Sequence, residues 1–305
     1  MSALAPPRTD HQWPGVVVLI LCATLWSLNG PLIKLLDKAA VPALTIACGR
    51  SLIGGLVFLP FAWPRRATVR QVRPAWPVVT MLTFTIMTAS FVIANTKTAA
   101  TNAIVLQYTS PIWVFLLAPL ILRERSSRAE GAVLLVAMAG VGVILAGNPP
   151  RDLPGLGWAL LSGWGYGTLT VLLRKLRPVS PAVVAAANAL GSGLLLLTPV
   201  LLSGAYRLNA YQLSVLLLLA LVQFTLPYLM FSWALQRVDA HRAALLLLLE
   251  VVLNPIWTFF AVGEIPPAAT LVGGPLILAG VVLSLVVGHR RARAAAAELA
   301  PPGGP

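Results

Sequence analysis

Glu250 is the side chain best placed to do chemistry. It stands in the run LLLLLEVVLNPIWTFF (245–260), where no other residue is charged. A carboxylate at the centre of a membrane helix costs roughly 2.5–3.5 kcal/mol on insertion scales. It must therefore face a polar cavity, find a partner or carry a proton. Asn254 and Trp257 follow four and seven residues later, so a helix sets an acid, an amide and an indole on one face. That face suits a polar or cationic group of a bound solute, or a structural hydrogen bond between helices. Arg50 is the basic residue deepest within an apolar run. It could pair with Glu250, hold an anionic group or reach toward a headgroup layer.

Other runs offer further polar and aromatic side chains. Trp26 and Asn29 are neighbours in the first, Gln107 and Tyr108 lie in the fourth, Trp164 and Tyr166 in the sixth, and Gln223 in the eighth. Facing a cavity, such groups would suit amino-acid-like or aromatic metabolites through stacking and cation–π contact. Asn29, Gln107 and Gln223 belong in a bundle interior, because an amide facing lipid has nothing to bond. The candidate binding set is thus Glu250, Asn254, Trp257, Trp26, Asn29, Tyr108, Gln107, Trp164, Tyr166, Gln223 and Arg50. Catalysis has no obvious centre. His11, His241 and His289 show no ligand spacing, Cys22 and Cys48 form no framework or metal pattern, and no Walker loop occurs. No metal, cofactor, ATP or nucleic acid is expected, and the solute and the lipid bilayer are the expected partners.

The elements that must position these residues are membrane helices. Of the 305 residues 58% are hydrophobic and 10% charged, against roughly 25% charged in soluble domains. A membrane-spanning helix needs about 20 apolar residues. Ten such runs appear, at 15–36, 43–63, 76–96, 99–122, 129–147, 155–173, 180–203, 210–235, 240–262 and 268–288. Pro31, Pro111, Pro227, Pro255 and Pro275 fall inside runs and are expected to kink them. Glycines such as Gly54, Gly55, Gly140, Gly193 and Gly273 allow close helix contact. Trp13, Trp63 and Trp76 sit at run ends, as interface anchors do.

The runs repeat. Moving 140 residues along the chain takes Lys34 to Arg174, Phe91 to Phe231, Lys97 to Arg237, Glu124 to Glu264 and Gly140 to Gly280. A constant offset over such a span marks an internal repeat. Glu124 and Glu264 occupy equivalent elbows, as solvated loop acids or caps for the next helix. Five spans per copy is an odd number, so the second copy enters from the opposite side, an architecture common among secondary transporters. The expected organisation is a tail at 1–14, a first repeat at 15–147, a linker at 148–154, a second repeat at 155–288 and a basic, disordered tail at 289–305. The N-terminal stretch lacks a signal-peptide cleavage pattern. The expected fold class is an all-α polytopic membrane protein of ten transmembrane helices in two inverted five-helix repeats.

The net charge of +13 has its own explanation. Sixteen basic residues, among them Arg65, Arg66, Arg70, Arg73, Arg174, Lys175 and Arg290, fall on one side; Lys34, Lys38, Lys97, Arg151 and Arg207 fall on the other. The asymmetry places both termini in the cytoplasm of a cell whose inner membrane the chain spans.

The chain resembles the EamA-type members of the drug/metabolite transporter superfamily over about residues 15–288. The resemblance rests on LWSLNGPLIKLL (25–36), LQYTSPIWVFLLAPLILRER (106–125), LLLLLEVVLNPIWTFFAVGE (245–264) and GGPLILAGVVL (273–283). It implies a central cavity and the export or exchange of small metabolites by a monomeric unit. Family members often carry Glu-Pro in the ninth helix. Here Glu250 precedes Val251 and the proline is Pro255, which moves the expected kink one turn later. Drug or cation efflux and metabolite uptake fit the same pattern. An intramembrane enzyme or a receptor subunit is the alternative of a different class, and the missing catalytic cluster and the repeat weigh against both. Reporter fusions after Pro305 and within 148–154 are expected to report opposite sides of the membrane. Signals on one side would overturn the inverted repeat.

Overall fold

The computed structural model describes residues 12–122, 128–204, 206–234, 237–238 and 240–298. His11 and Glu124, named above, lie outside them. The described residues form helices and connecting turns, with no strand. Among the described residues nine stretches are long and apolar enough to cross a membrane. A tenth helix, Arg128–Gly147, holds the shorter apolar stretch Leu134–Gly147.

Span 1 is α1 (Gln12–Trp26) and α2 (Asn29–Lys38), span 2 is α3 (Ala43–Ala62) and span 3 is α4 (Ala75–Lys97). Span 4 is α5 (Ala100–Gln107) and α6 (Ser110–Leu122), and span 5 is α7 (Arg128–Gly147). Spans 6 and 7 are α8 (Leu153–Lys175) and α9 (Pro181–Leu202). Span 8 is α10 (Ala210–Leu217), a π-helical stretch (Leu218–Thr225) and α11 (Leu226–Ala234). Span 9 is α12 (Ala240–Leu247) and α13 (Leu249–Val262), and span 10 is α14 (Ala268–Glu298). The tail expected from residue 289 is instead helical as far as Glu298. Its Ala-rich sequence RARAAAAE favours continuing the helix.

Two of the prolines account for broken spans. Pro31 has no N–H to give the Ser27 carbonyl four residues back, and the chain turns at Ser27-Leu28 before α2 begins. Pro111 stands in the first turn of α6, where a missing N–H costs nothing. The kink expected at Pro255 is not where span 9 breaks, because α13 runs through that proline. The break comes at Leu248. There the Val251 amide bonds back three residues to Leu248 (3.1 Å), and the Leu247 carbonyl faces Tyr108 Oη at 3.3 Å. Tyr108 ends α5 at the break of span 4, so the breaks of spans 4 and 9 occupy equivalent positions in the two copies.

The two repeats pack through matching helices. α3 lies along α9 and α7 along α14, while α4 pairs with α8 as α1 does with α11. Between α7 and α14 the backbones touch. A Cβ added to Gly140 would strike Ile277 and the Gly273 carbonyl, and one added to Gly280 would strike Ala137. Ala137 and Ile277 are themselves 140 residues apart, so the contact is reciprocal.

One end of the bundle is tied by polar bonds between the repeats. Gly263 (φ 73°) caps α13 in the left-handed region, and the chain turns there so that Glu264 reaches across. One Glu264 oxygen meets Lys34 Nζ at 3.0 Å, and the other accepts the Ala100 amide at 2.7 Å. Glu264 is therefore no free loop acid. It caps α5, a helix of the other repeat. Lys34 Nζ also donates to the Thr98 carbonyl (2.8 Å) and Lys38 Nζ to the Val262 carbonyl (2.7 Å). Behind them the buried Thr270 hydroxyl bonds Asn102 Oδ1, while Asn102 Nδ2 donates to Thr98 Oγ1 (2.8 Å) and to Asn148 Oδ1 (3.2 Å). At the opposite end the Ser180 amide donates to Thr68 Oγ1 (3.1 Å) and Lys175 lies over the Trp76 ring.

Glu264→Ala removes an ionic partner and a helix cap together, and is expected to cost about 1–3 kcal/mol in detergent thermal unfolding. Glu264→Gln keeps an acceptor for the Ala100 amide and is expected to cost less. Equal losses would show that the cap contributes nothing.

Candidate functional site

Glu250 lies in the first turn of α13, where the helix dipole favours a negative charge. Its two oxygens have different donors. Asn29 Nδ2 donates to Oε1 at 3.1 Å, and Tyr108 Oη lies 3.1 Å from Oε2. Asn29 is the first residue of α2, and Tyr108 stands between α5 and α6. The acid thus sits where the breaks of spans 1, 4 and 9 converge. Tyr108 has one hydroxyl proton and two acceptors within reach, Glu250 Oε2 and the Leu247 carbonyl.

Asn254, one turn beyond Glu250, is fully buried. Its Nδ2 donates to Asn29 Oδ1 (2.8 Å) and to the Ser27 carbonyl that Pro31 leaves free (3.1 Å). The chain at the break passes so close that a Cβ on Gly30 would strike the Asn254 amide. Gln223, in the π-helical stretch, does the same for the preceding residue: its Nε2 donates to the Trp26 carbonyl at 3.2 Å. Asn29, Asn254 and Gln223 are therefore interior, as their polarity demands. Gln107 is half-buried at the end of α5.

An aromatic wall stands beside the acid. Trp26 meets Tyr228 and Phe231 edge-on, with centroids 5.4 and 5.5 Å apart. Tyr228 meets Phe224 at 5.4 Å, and Phe58 contacts both. Phe84 closes on Phe224 at 6.3 Å. Arg50 joins this wall from α3. Its guanidinium carbon lies 5.4 Å from the Phe224 centroid, and Nη2 donates to the Thr88 hydroxyl. Arg50 is 6% exposed, so it does not reach a headgroup layer. Among the described residues it makes no ion pair with Glu250 or any other acid. Tyr166 keeps 39% of its surface accessible.

Of the sequence candidates, Glu250, Asn29, Tyr108 and Asn254 join in one hydrogen-bonded network, to which Gln223 and Trp26 are tied through span 1. Arg50 bonds Thr88 and lies over Phe224 in the aromatic cluster instead. Gln107, Trp164 and Trp257 have no hydrogen bond or ring contact to it among the described residues, and Trp257 Nε1 is buried without an acceptor there. Tyr228, Phe224, Phe84 and Thr88 were missed, although the repeat register held the signal. An offset of 140 pairs Thr88 with Tyr228, Phe84 with Phe224 and Trp26 with Tyr166.

Residues 13–146 and 153–286 each match the EamA-like transporter family. The chain belongs to that family. The two matches are offset by the same 140 residues that relate the repeats, and the chain is a multi-pass membrane transporter whose partners are a small-molecule solute and the lipid bilayer. Relatives cover nearly its whole length. An uncharacterized transporter of Archaeoglobus fulgidus is 28% identical over 88% of this chain and 96% of its own. A probable terminal-alkyne amino-acid exporter of Streptantibioticus cattleyicolor is 26% identical over 91% and 96%, and the inner membrane protein YtfF of Escherichia coli is 26% identical over 89% and 94%. A crystal structure at 20% identity superposes with a TM-score of 0.63 over 91% of this chain and 97% of its own, which bears on the fold alone.

Tyr108→Phe keeps the ring and deletes the hydroxyl shared by Glu250 and Leu247. It is expected to lower stability by about 1–2 kcal/mol in thermal unfolding. Unchanged stability would mean that water replaces the hydroxyl at both acceptors.

Proposed function

We propose that this EamA-family protein is a secondary transporter that exports small metabolites, amino acids or related compounds, across the cytoplasmic membrane. Both termini lie in the cytoplasm, and one repeat rocks against the other around Glu250 with no catalytic step. The observation that carries this reading is the meeting of three helix breaks at one half-buried acid. A solute there can reach polar groups that unbroken helices would keep to themselves. The aromatic wall supplies apolar contact beside them. The end of the bundle tied through Glu264 supports a molecule sealed on one side of the site. The name of the Streptantibioticus relative supports amino-acid-like cargo and outward transport, and that of the Escherichia coli relative supports an inner-membrane location.

Proteoliposomes holding the purified full-length chain test the site. Glu250→Gln keeps the shape and one acceptor oxygen of the carboxylate while removing its charge, and its amide nitrogen can donate to the Tyr108 oxygen. It is expected to lower saturable flux by about tenfold or more, as loss of a charged hydrogen bond would, while the protein still inserts and folds. Normal flux in Glu250→Gln would make the acid structural and move the search to spans 1, 4 and 6.

A further inference from the structure

The end of the bundle opposite Glu264 carries a basic surface that its own segments cannot neutralise. Alternating crossings bring the ends of spans 2, 6 and 8 and the start of span 3 to that side. Between α3 and α4 the chain WPRRATVRQVR (63–73) holds Arg65, Arg66, Arg70 and Arg73, all exposed. Lys175 is the last residue of α8, and Arg177 lies in the turn that follows. Residues 38–123 and 153–238, which supply these groups, contain no Asp or Glu. None of the six makes an ion pair among the described residues.

The surface is built rather than loose. Trp63–Gln71 is a 3₁₀ helix, with about three residues per turn, so side chains three apart line up. Arg66 falls in a row with Trp63 and Val69, and Arg70 in a row with Pro64 and Ala67. The remaining row holds Thr68, whose Oγ1 accepts the Ser180 amide at 3.1 Å. That bond fixes a connector of the first repeat against the α8–α9 turn of the second. Tryptophan marks the headgroup level of a membrane, and three tryptophans at this end each carry a cation on the ring. Arg66 lies 4.4 Å from the Trp63 centroid, Lys175 5.7 Å from that of Trp76 and Arg237 3.7 Å from that of Trp233. Trp63 is 63% exposed. The cations therefore stand at the depth where lipid phosphates lie.

We propose that this face binds anionic phospholipid headgroups, seated across the connector of the first repeat and the α8–α9 turn of the second. Guanidinium forks take phosphate oxygens in pairs, and exposed Phe61 and Trp63 offer apolar surface beside them for the acyl chains. A zwitterionic headgroup brings its own cation and cannot neutralise the surface. A bound anionic headgroup joins groups from both repeats, at the end that lacks the Lys34–Glu264 pair. The proposal depends on the chain spanning a membrane and on no particular cargo or direction of transport.

The test uses purified full-length protein, delipidated in detergent and titrated with phosphatidylglycerol or with phosphatidylcholine of the same chains. Phosphatidylglycerol is expected to raise the thermal unfolding midpoint by several degrees, and phosphatidylcholine to leave it in place. About 1 M sodium chloride, which screens charges beyond about 3 Å, should remove most of the difference. Combining Arg65→Gln, Arg70→Gln and Arg73→Gln spares the Arg66–Trp63 stack. This variant is expected to need about a hundredfold more phosphatidylglycerol for the same shift, at about fivefold per arginine. Lysine at the same three positions should keep most of the response, and Arg207→Gln, at the other end, should keep all of it. Equal shifts by the two lipids, or an undiminished response in the triple glutamine variant, would overturn the proposal. So would equal stabilisation by inorganic phosphate or by poly-glutamate, which would give the surface to a free anion or to an acidic protein. If the triple variant does not fold, the wild-type comparison of the two lipids at low and high salt decides.

Discussion

A helix that breaks inside a bilayer must find new partners for the carbonyls it exposes, because lipid offers none. The centre of this protein answers that constraint. Pro31 frees the Ser27 carbonyl, and Asn254 takes it. The neighbouring Trp26 carbonyl goes to Gln223 and that of Leu247 to Tyr108. Each donor comes from a different span from the carbonyl it serves. The breaks are thus tied together, and the residues that tie them also surround Glu250. Structure and site share the same side chains: Asn29 holds the acid with its nitrogen and receives Asn254 on its oxygen.

The second constraint is charge. At the end of the bundle, Lys34 and Glu264 meet each other and also bond backbone groups of span 4 or the turn before it. Their charges are settled within the protein. Deeper in, Arg50 and Glu250 are held by neutral groups, a threonine, a tyrosine and an asparagine. Neutral hydrogen bonds orient such groups without ion-pairing them. The contrast between the two acids follows from what stands beside them: a lysine for Glu264, a hydroxyl and an amide for Glu250.

Much of this was legible from the chain. The spans follow from apolar length, and the two copies follow from a constant offset that the family matches reproduce. Glu250 announced itself because no other charge lies between residues 243 and 263. Span 9 was harder, because its proline invited a kink at Pro255 while the actual break is set by Tyr108, 140 positions earlier in register than Leu248. A single helix does not reveal which foreign hydroxyl will take its carbonyl. Gln107, Trp164 and Trp257 were chosen on polarity and ring type, and composition cannot say which way a helix face turns. Tyr228, beside Pro227, was not among the candidates. Its pairing with Thr88 across the repeat and its ring contacts with Trp26, Phe58 and Phe224 distinguish it.

The π-helical stretch of span 8 has no counterpart in the first repeat, where the equivalent residues 78–85 lie within the unbroken α4. Span 1 is likewise broken at Ser27-Leu28, whereas its counterpart α8 is continuous. Two identical inverted halves would give a carrier equal energies facing either way. These halves are not identical, so under the rocking mechanism proposed above the empty protein would rest unequally between its two orientations, and each difference of about 1.4 kcal/mol would weight one of them tenfold. That weighting decides where an empty carrier waits. It cannot decide which way cargo moves on balance, because detailed balance leaves the direction of net flow to the gradients across the membrane.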